Sequence, residues 1–314
     1  MKTNALLLFA LAASFAACSD DTNVAKNASN ELGLSVSISG KTSLRSLKDA
    51  FVSTDAIGVF VTGTGYTTKL AQYTFNGTTW SSPSSDTSKI FLSPEEATVY
   101  GFYPASSVLS PSTLANDSTN GIKVTVTGTD SSFAATDQID YMYATATNKV
   151  KYLNPATNLA FNHGLAKVSF IVNKDQSFLN PGALTQVKLA KTTGFLIGAG
   201  VMKLRSGAIT GLTAANSITF TGTATANAYN ATPSTTKTAY GLVAPITATS
   251  GITLSMTIDG KVYSATLPSA SPANLFAAGN EYLYTITLKG TEMSITSVSV
   301  TPWDTKDAGS LDMR

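Results

Sequence analysis

Side chains suited to acid–base or nucleophilic chemistry are few and far apart in this sequence. It contains a single histidine, His163, so a site built from two imidazoles within one chain is excluded. A lone histidine between apolar segments is more often a hydrogen-bonded structural residue than a catalyst. Glu95 and Glu96 are adjacent, and adjacent side chains of an extended segment point to opposite faces. These two carboxyls are therefore not expected to form a catalytic pair.

Motifs for metals and cofactors are equally sparse. The spacing of Asp137 and Asp140 allows them to line one face of a turn and bind calcium, although capping of a turn before a strand is the commoner use. No serine lies in a Gly-x-Ser-x-Gly motif, and no glycine-rich phosphate loop joins a strand to a helix. We therefore predict that the protein is not an enzyme and binds no cofactor or metal. A hydrolase with an unrecognised site is the weaker alternative.

The one cysteine indicates chemistry of another kind. Lys2 precedes an apolar run from Ala5 to Ala17, and Cys18 follows directly. This run is shorter than the roughly 20 residues of a membrane-spanning helix, so residues 1–17 are predicted to be a signal peptide. Small residues next to a single cysteine resemble a bacterial lipobox, although Phe15 replaces the usual leucine. Cys18 is then the lipidated (palmitate-bearing) first residue of the mature chain, and an ordinary signal peptide with an incidental cysteine is the alternative.

The composition after the leader fits an exported surface protein. Residues 18–30 are polar and aperiodic, which is typical of a flexible tether, and Asp20 and Asp21 resemble an export signal of surface lipoproteins. Only 13% of the residues are charged and the net charge is +2. Such a surface has no strong electrostatic attraction for nucleic acid or for an anionic membrane.

Strand patterns run through the whole mature chain. Leu32, Leu34, Val36 and Ile38 alternate with small or polar residues, a period of two that predicts a half-buried strand. The same interpretation applies to residues 57–61, 98–103, 122–126, 166–172, 185–189, 218–220, 238–243, 252–258, 261–263, 282–288 and 293–300. Hairpin turns are predicted at Asn76-Gly77, Asp259-Gly260 and Lys289-Gly290. The sequence therefore predicts an all-β protein of the sandwich type.

A turn-rich break at residues 154–157 divides this pattern. We place the boundary between two β-sandwich domains there, with the first domain at residues 31–157 and the second at residues 158–314. Seven aromatic residues, six of them before this break, are candidates for a binding role. They either pack in the core or form a flat platform that stacks on sugars. A sugar platform would make the protein a glycan-binding lipoprotein of a nutrient-uptake system. The seven residues are Trp80, Tyr100, Phe102, Tyr103, Tyr141, Tyr143 and Trp303.

The order of these segments is more specific than any one of them. After the lipobox come DAIGVFV at 55–61, YTFNGTTW at 73–80, VYGFYP at 99–104, DYMY at 140–143, FNHGLAKVSF at 161–170, AGNEYLY at 278–284 and VSVTPW at 298–303. In this order the motifs resemble the fimbrillins of Bacteroidetes, the type V pilins, over nearly the whole mature chain. The resemblance implies two tandem transthyretin-like β-sandwich domains and a subunit of a cell-surface fimbria that mediates adhesion.

The resemblance also implies an assembly route. Fimbrillins reach the outer membrane surface as lipoproteins, and a trypsin-like protease then cuts behind the first strand. Loss of that strand opens a groove, which a strand of another pilin subunit fills by donor-strand exchange. No cofactor is implied, and the partners are other pilin subunits, the protease and a surface receptor.

Particular residues fit this route. The exchangeable strand is predicted to carry Leu32, Leu34, Val36 and Ile38, and a basic segment follows it. Cleavage is predicted between Arg45 and Ser46, with Lys41 and Lys48 as secondary sites, because trypsin-like enzymes cut after a cation. An exposed loop whose basic residues only aid solubility is the alternative. The donor strand is predicted to use Met293, Ile295 and, after a shift in the alternation, Val298 and Val300.

Overall fold

A computed structural model of the chain describes residues 30–39, 50–66, 69–107, 121–247, 251–268, 276–290 and 292–303. These residues form strands, turns and one short 3₁₀ turn at Ala105–Ser107, with no α-helix among them. The prediction of an all-β protein is confirmed. None of the helical segments in the described ranges is long and apolar enough to cross a bilayer.

The described residues contain eighteen strands. They are β1 Gly33–Ile38, β2 Ala56–Thr62, β3 Leu70–Phe75, β4 Trp80–Ser81, β5 Thr98–Tyr103, β6 Ile122–Val126, β7 Thr129–Asp130, β8 Met142–Thr145, β9 Ala156–His163, β10 Ala166–Lys174, β11 Ala183–Met202, β12 Ile209–Thr210, β13 Thr213–Thr225, β14 Ala239–Val243, β15 Thr253–Ile258, β16 Lys261–Thr266, β17 Asn280–Lys289 and β18 Glu292–Pro302. The three predicted hairpin turns join β3 to β4, β15 to β16 and β17 to β18. At the second of these, Asp259 and Gly260 both have positive φ, at 51° and 75°, as a two-residue hairpin turn with the right-handed strand twist requires.

The strands form three sheets. The first has the order β1-β9-β8-β5-β2-β3-β4, in which only β1 and β9 run parallel. The second has the order β14-β10-β17-β18, and the third has the order β16-β15-β11-β13-β7, with β6 and β12 also paired to β11. Strands β1 and β18 therefore each lie at the edge of a sheet.

Three clusters of buried side chains hold the sheets together. The first covers one face of the first sheet and includes Val59, Leu159 and Phe161. The second lies between the second and third sheets and includes Phe170 and Val187. A third cluster joins the other face of β2 and β5 to β6 and the end of β11, through residues such as Phe60, Tyr100, Phe102, Val124 and Met202. As a result, β2 and β5 are buried on both faces.

The predicted domain boundary at 157/158 falls inside β9, which pairs in the first sheet, while β10 starts the second sheet. Strands β6 and β7, which precede β9 in the chain, pair with β11 and β13 of the third sheet. The division into domains at residues 31–157 and 158–314 stays a prediction.

Candidate assembly strands

Strand β1 is the edge of the first sheet and uses its alternate side chains as the sequence predicts. Its register with β9 runs from Gly33 opposite Ala156 to Ile38 opposite Phe161. Leu32 and Ile38 are each only 2% exposed. Leu34 and Val36 are partly buried against the same core cluster. The four apolar residues therefore occupy one face, although only the two outer ones are fully enclosed.

Leu32 is fixed through its main chain as well as its side chain. Its N–H donates a hydrogen bond to the carbonyl oxygen of Ile90 at 2.8 Å. Its carbonyl oxygen accepts a hydrogen bond from the hydroxyl of Tyr73 at 2.9 Å. Burial, aided by the nearby charge of Glu31, raises the pKa of Tyr73 above its ordinary range, so this hydroxyl stays protonated and is a donor. We call the position enclosed by β9, the 90–92 main chain and Tyr73 the β1 seat.

The approach to the β1 seat is held by polar contacts at its rim. The N–H of Leu92 donates to the carbonyl oxygen of Asn30 at 2.7 Å, and the side-chain amide of Asn30 donates to the carbonyl oxygen of Leu92 at 3.0 Å. Glu31 forms an ion pair with Lys89, with 3.1 Å between the carboxylate oxygen and Nζ, and both side chains are about one-fifth exposed. These contacts align residues 30–32 before the strand enters the core.

The predicted lipidation and cleavage residues lie outside the described parts of the chain. Cys18, Arg45 and Ser46 all fall there, as do Lys41 and Lys48. Described residues on both sides of segment 40–49 make defined contacts. The N–H of Ser39 donates to the carbonyl oxygen of Phe161 at 2.6 Å. On the other side, the buried ring of Phe51 packs edge-on against Trp80, Tyr103 and Phe161 at centroid distances of 4.9, 5.8 and 5.6 Å.

Strand β18 is the edge of the second sheet and pairs antiparallel with β17 from end to end. The register shifts between the pairs Ile286–Ile295 and Thr285–Ser297, so Thr296 is an extra residue in a β-bulge. The Thr296 hydroxyl donates to the carbonyl oxygen of Thr285 at 3.2 Å. The bulge explains why the apolar residues of this segment change from odd-numbered to even-numbered positions after Ile295.

Because of the bulge, the four predicted donor residues share one face of β18. Met293, Ile295 and Val298 are partly buried against the second core cluster, whereas Val300 is 38% exposed. They lie opposite the buried β17 residues Leu288, Ile286, Tyr284 and Tyr282, in that order. The use of these residues as a donor strand stays a prediction.

The end of β18 is anchored by Trp303. Its ring is 4% exposed and stacks on the ring of His163 at 4.1 Å, and its main-chain N–H donates to the carbonyl oxygen of Gly279 at 2.8 Å. His163 Nδ1 is also bonded to the two carboxylate oxygens of Asp140, at 3.0 and 2.9 Å. The single histidine is thus packed as a structural residue, and Asp140 is engaged with it.

Asp137 has a different role from Asp140. Its carboxylate accepts hydrogen bonds from the main-chain N–H and the hydroxyl of Ser131, and these bonds lower the pKa of this exposed carboxyl. The two aspartates therefore do not share a ligand. In the described ranges, no group of three or more His, Cys, Asp or Glu side chains is arranged to hold a metal ion.

Strands β10 and β17 carry a buried charge cluster that the sequence analysis does not predict. Lys167 and Glu281 are directly opposite on the parallel strands β10 and β17, with 3.6 Å between Nζ and a carboxylate oxygen. Lys237 adds a second cation at 2.9 Å, and the Ser169 hydroxyl donates to Glu281 at 2.5 Å. Burial alone would raise the pKa of Glu281, but the charge of Lys167, the Ser169 hydrogen bond and Lys237 outweigh it and hold this pKa below its ordinary value. A lysine inside the apolar run 166–172 was the available signal.

The aromatic residues that were candidates for sugar stacking serve mainly as core. Tyr100, Phe102, Tyr141 and Trp303 are buried, with at most 5% of any of them exposed. Trp80 is partly buried and packs against Phe75 at a centroid distance of 5.1 Å. Tyr103 and Tyr143 are also partly buried against core clusters. No flat platform is formed by these rings.

The described residues form an all-β fold in which β1 and β18 lie at sheet edges. Solved structures of other proteins share this fold. A putative cell adhesion protein from Bacteroides ovatus ATCC 8483 superposes with a TM-score of 0.64 at 20% identity, covering 89% of this chain and 99% of the other. One from Bacteroides uniformis ATCC 8492 gives 0.62 at 21% identity, covering 87% and 99%. A fimbrial protein from Bacteroides vulgatus ATCC 8482 gives 0.50 at 14% identity, with the same coverages.

The family itself is shown by sequence. A profile of the fimbrillin-like family matches residues 45–303, which is most of the chain. The chain therefore belongs to the fimbrillin-like family. Members of this family are structural subunits of cell-surface fimbriae, not enzymes. Comparison with curated proteins finds no match.

Proposed function

We propose that this protein is a shaft or tip subunit of an adhesive cell-surface pilus that polymerises by donor-strand exchange. The supporting observation is β1, an edge strand that inserts alternate apolar side chains into a core and is followed directly by the basic segment 41–48. Cleavage between Arg45 and Ser46 by a trypsin-like protease separates β1 from the rest of the chain. Before cleavage, acylated Cys18 anchors the subunit to the outer membrane surface.

The uncut subunit is closed because its own strand has a large advantage. Full burial of a Leu or Ile side chain contributes about 1.5–3 kcal/mol, and the segment 32–38 buries two apolar side chains fully and two in part. While the peptide bond behind β1 is intact, this strand also has a high effective concentration at its seat. Cleavage removes the second contribution and leaves only the first. A neighbouring subunit is then able to compete for the seat.

Strand β18 is the donor that the structure favours. It lies at a sheet edge, its apolar residues are less buried than those of β1, and residues 304–314 follow its end. The partners are accordingly other pilin subunits, of the same or a related kind, together with the activating protease and a surface receptor. The burial of four of the seven candidate aromatic residues disfavours the alternative of a glycan-binding lipoprotein.

Limited trypsin treatment of the purified chain tests this function. We expect a core that begins at Ser46 and forms higher oligomers, measured by mass spectrometry and light scattering. Ile295→Asp should block donation because a charge cannot occupy an apolar pocket, yet its own seat should still accept a wild-type strand. Ser294→Asp, on the exposed face of β18, is the matched control and should polymerise. Oligomers from cleaved Ile295→Asp alone, or a cleaved wild-type core that stays monomeric, would contradict the proposal.

Lipidation is tested separately. Cys18→Ala should leave the precursor unacylated and away from the cell surface, because no other thiol is present in the sequence. Palmitate labelling and surface proteolysis measure the two effects. Labelling that persists in the variant would rule out Cys18 as the acylated residue, whatever the outcome of the trypsin experiment.

A further inference from the structure

The hydroxyl of Tyr73 is a polar group at the Leu32 end of the β1 seat, whose pockets are otherwise apolar. Tyr73 is 2% exposed, and it lies on β3, whereas the carbonyl oxygen that it binds belongs to Leu32, just before β1. A buried hydroxyl without an acceptor is destabilising, because it has lost its hydrogen bonds to water. We propose that Tyr73 is a positioning residue of the β1 seat, which makes stable occupation depend on a strand that reaches the Leu32 position and places a main-chain carbonyl there.

A strand that fills only part of the seat does not satisfy Tyr73. The pockets of Leu34, Val36 and Ile38 are available to a shorter strand, but such a strand leaves the hydroxyl of Tyr73 without the main-chain acceptor that Leu32 provides. Tyr73 therefore distinguishes complete from partial insertion. The N–H of Leu32 adds to the same requirement, since it donates to Ile90 at the same place.

In the polymer, we assign the β1 seat to segment 293–300 of a second copy of the chain. This assignment rests on the proposed function. Without the bulge residue Thr296, that segment reads MSISVSV, and residues 32–38 read LGLSVSI. Both alternate four apolar residues with small ones at a period of two. In this alignment Met293 takes the place of Leu32, so its carbonyl oxygen accepts the hydrogen bond from Tyr73.

Segment 293–300 has one residue more than β1 between its apolar positions, the bulge residue Thr296. β1 pairs parallel with β9, and bulges are rare in parallel pairs. Thr296 must therefore loop out of the ladder when segment 293–300 occupies the seat. A donor peptide that lacks Thr296 should bind more tightly than the natural one.

The test measures peptide binding to the trypsin-cleaved full chain by competition for the seat, using fluorescence anisotropy. The long peptides are residues 30–39 and 292–303, and the short ones are N-acetylated residues 34–39 and 295–303, which lack the carbonyl at the Leu32 position. Tyr73→Phe should weaken binding of both long peptides about fivefold to tenfold, through loss of one hydrogen bond. For the short peptides the same change should leave binding unchanged or improve it. Omission of Thr296 from the donor peptide should strengthen its binding several-fold.

Tyr284→Phe is the matched control. Tyr284 is also fully buried, but its hydroxyl makes no hydrogen bond to the residues that the structure describes, and it lies in the second core cluster. This variant should change long and short peptides equally. In the uncut chain, Tyr73→Phe should also speed amide hydrogen exchange of residues 31–38 about tenfold, and Tyr284→Phe should not.

The outcomes separate the two proposals. Equal effects of Tyr73→Phe on long and short peptides, or unchanged exchange of residues 31–38 in the uncut chain, would overturn the role of Tyr73. If the peptide 30–39 shows the length-dependent effect and peptide 292–303 does not bind, Tyr73 keeps its role and the donor assignment is wrong. If cleavage releases no strand, the exchange measurement on the uncut chain still decides the role of Tyr73.

Discussion

Strands β1 and β18 both lie at a sheet edge and both present alternate apolar residues to a core, but different interactions hold them in place. β1 pairs with β9 over six residues, and both Leu32, just before the strand, and Ile38, its last residue, are almost fully enclosed. β18 pairs with β17 over ten residue pairs, yet its apolar residues are only half-buried and Val300 is 38% exposed. Side-chain burial is therefore the main interaction that holds β1, and the main-chain hydrogen bonds to β17 are the main interaction that holds β18.

This difference suits a strand that is replaced and a strand that replaces it. A seat that gains most of its stability from pockets selects its occupant by side-chain spacing. A strand held mainly by main-chain hydrogen bonds exchanges one ladder for another without a large loss of buried apolar area. The anchor of β18 is instead at its end, where Trp303 stacks on His163.

The largest expected effect is a charge in the β1 seat. Leu32→Asp should lower the free energy of unfolding of the uncut chain by about 3–5 kcal/mol, because the carboxylate would be buried without a partner. Val36→Asp should cost less, since Val36 is only partly buried. Ser35→Asp, on the exposed face of β1, should change stability by less than about 0.5 kcal/mol. Chemical denaturation measures all three, and equal stabilities would show that β1 is not held by its pockets.

A smaller effect concerns the charge cluster beneath β17, the strand that carries β18. Glu281→Gln should cost about 3 kcal/mol near neutral pH, because Lys167 would remain buried with its charge uncompensated. The pKa of Glu281 is lowered in the folded protein, so its contribution is present above the unfolded value of about 4.3 and is lost as the pH falls through the lowered folded value. Wild-type stability should therefore fall more steeply below about pH 4 than that of Glu281→Gln.

Denaturation curves between pH 7 and pH 2 check this prediction. Glu292→Gln is the control, because Glu292 is exposed at the start of β18. The ion pair at the rim of the β1 seat, Glu31 with Lys89, is partly exposed and should contribute less to the acid sensitivity. Parallel pH profiles for wild type and Glu281→Gln would show that the buried cluster does not set the acid sensitivity of this side of the molecule.

Much of this architecture was predictable because it depends on neighbouring residues. The alternation of residues 32–38 and of 293–300 and the turn at Asp259-Gly260 are local patterns, and the structure has a strand or a hairpin at each. The alternation in 293–300 even contains the position of the bulge. What local patterns do not contain is the partner of each strand.

The failures have the same origin. Residues 57–61 were expected to be half-buried, but β2 is buried on both faces because β6 and the end of β11 cover its second side. Only residues 185–189 of the long strand β11 were predicted, since Gly194 and Gly198, with φ of 87° and 93°, interrupt its alternation. The Tyr73–Leu32 hydrogen bond and the Lys167–Glu281 pair join residues far apart in the sequence. Lys167 within an apolar run indicates a buried charge, but no single-sequence pattern identifies its partner or that of Tyr73.

The smallest expected effect is the most specific test of the comparison between the strands. Deletion of Thr296 should change the free energy of unfolding by less than about 1 kcal/mol, because Ser297 then follows Ile295 directly and every other pair with β17 keeps its register. Only the bulge and the hydrogen bond from the Thr296 hydroxyl are lost. Deletion of Ser35 from β1 is the matched change in a strand without a bulge. It moves one part of the strand to the opposite face, so either Leu32 or Ile38 leaves its pocket, and the cost should be about 2–4 kcal/mol. Thermal and chemical unfolding of the two deletion variants measure the difference. If deletion of Thr296 is as costly as deletion of Ser35, β18 depends on its bulge and is not the loosely packed, main-chain-bonded strand that a donor requires.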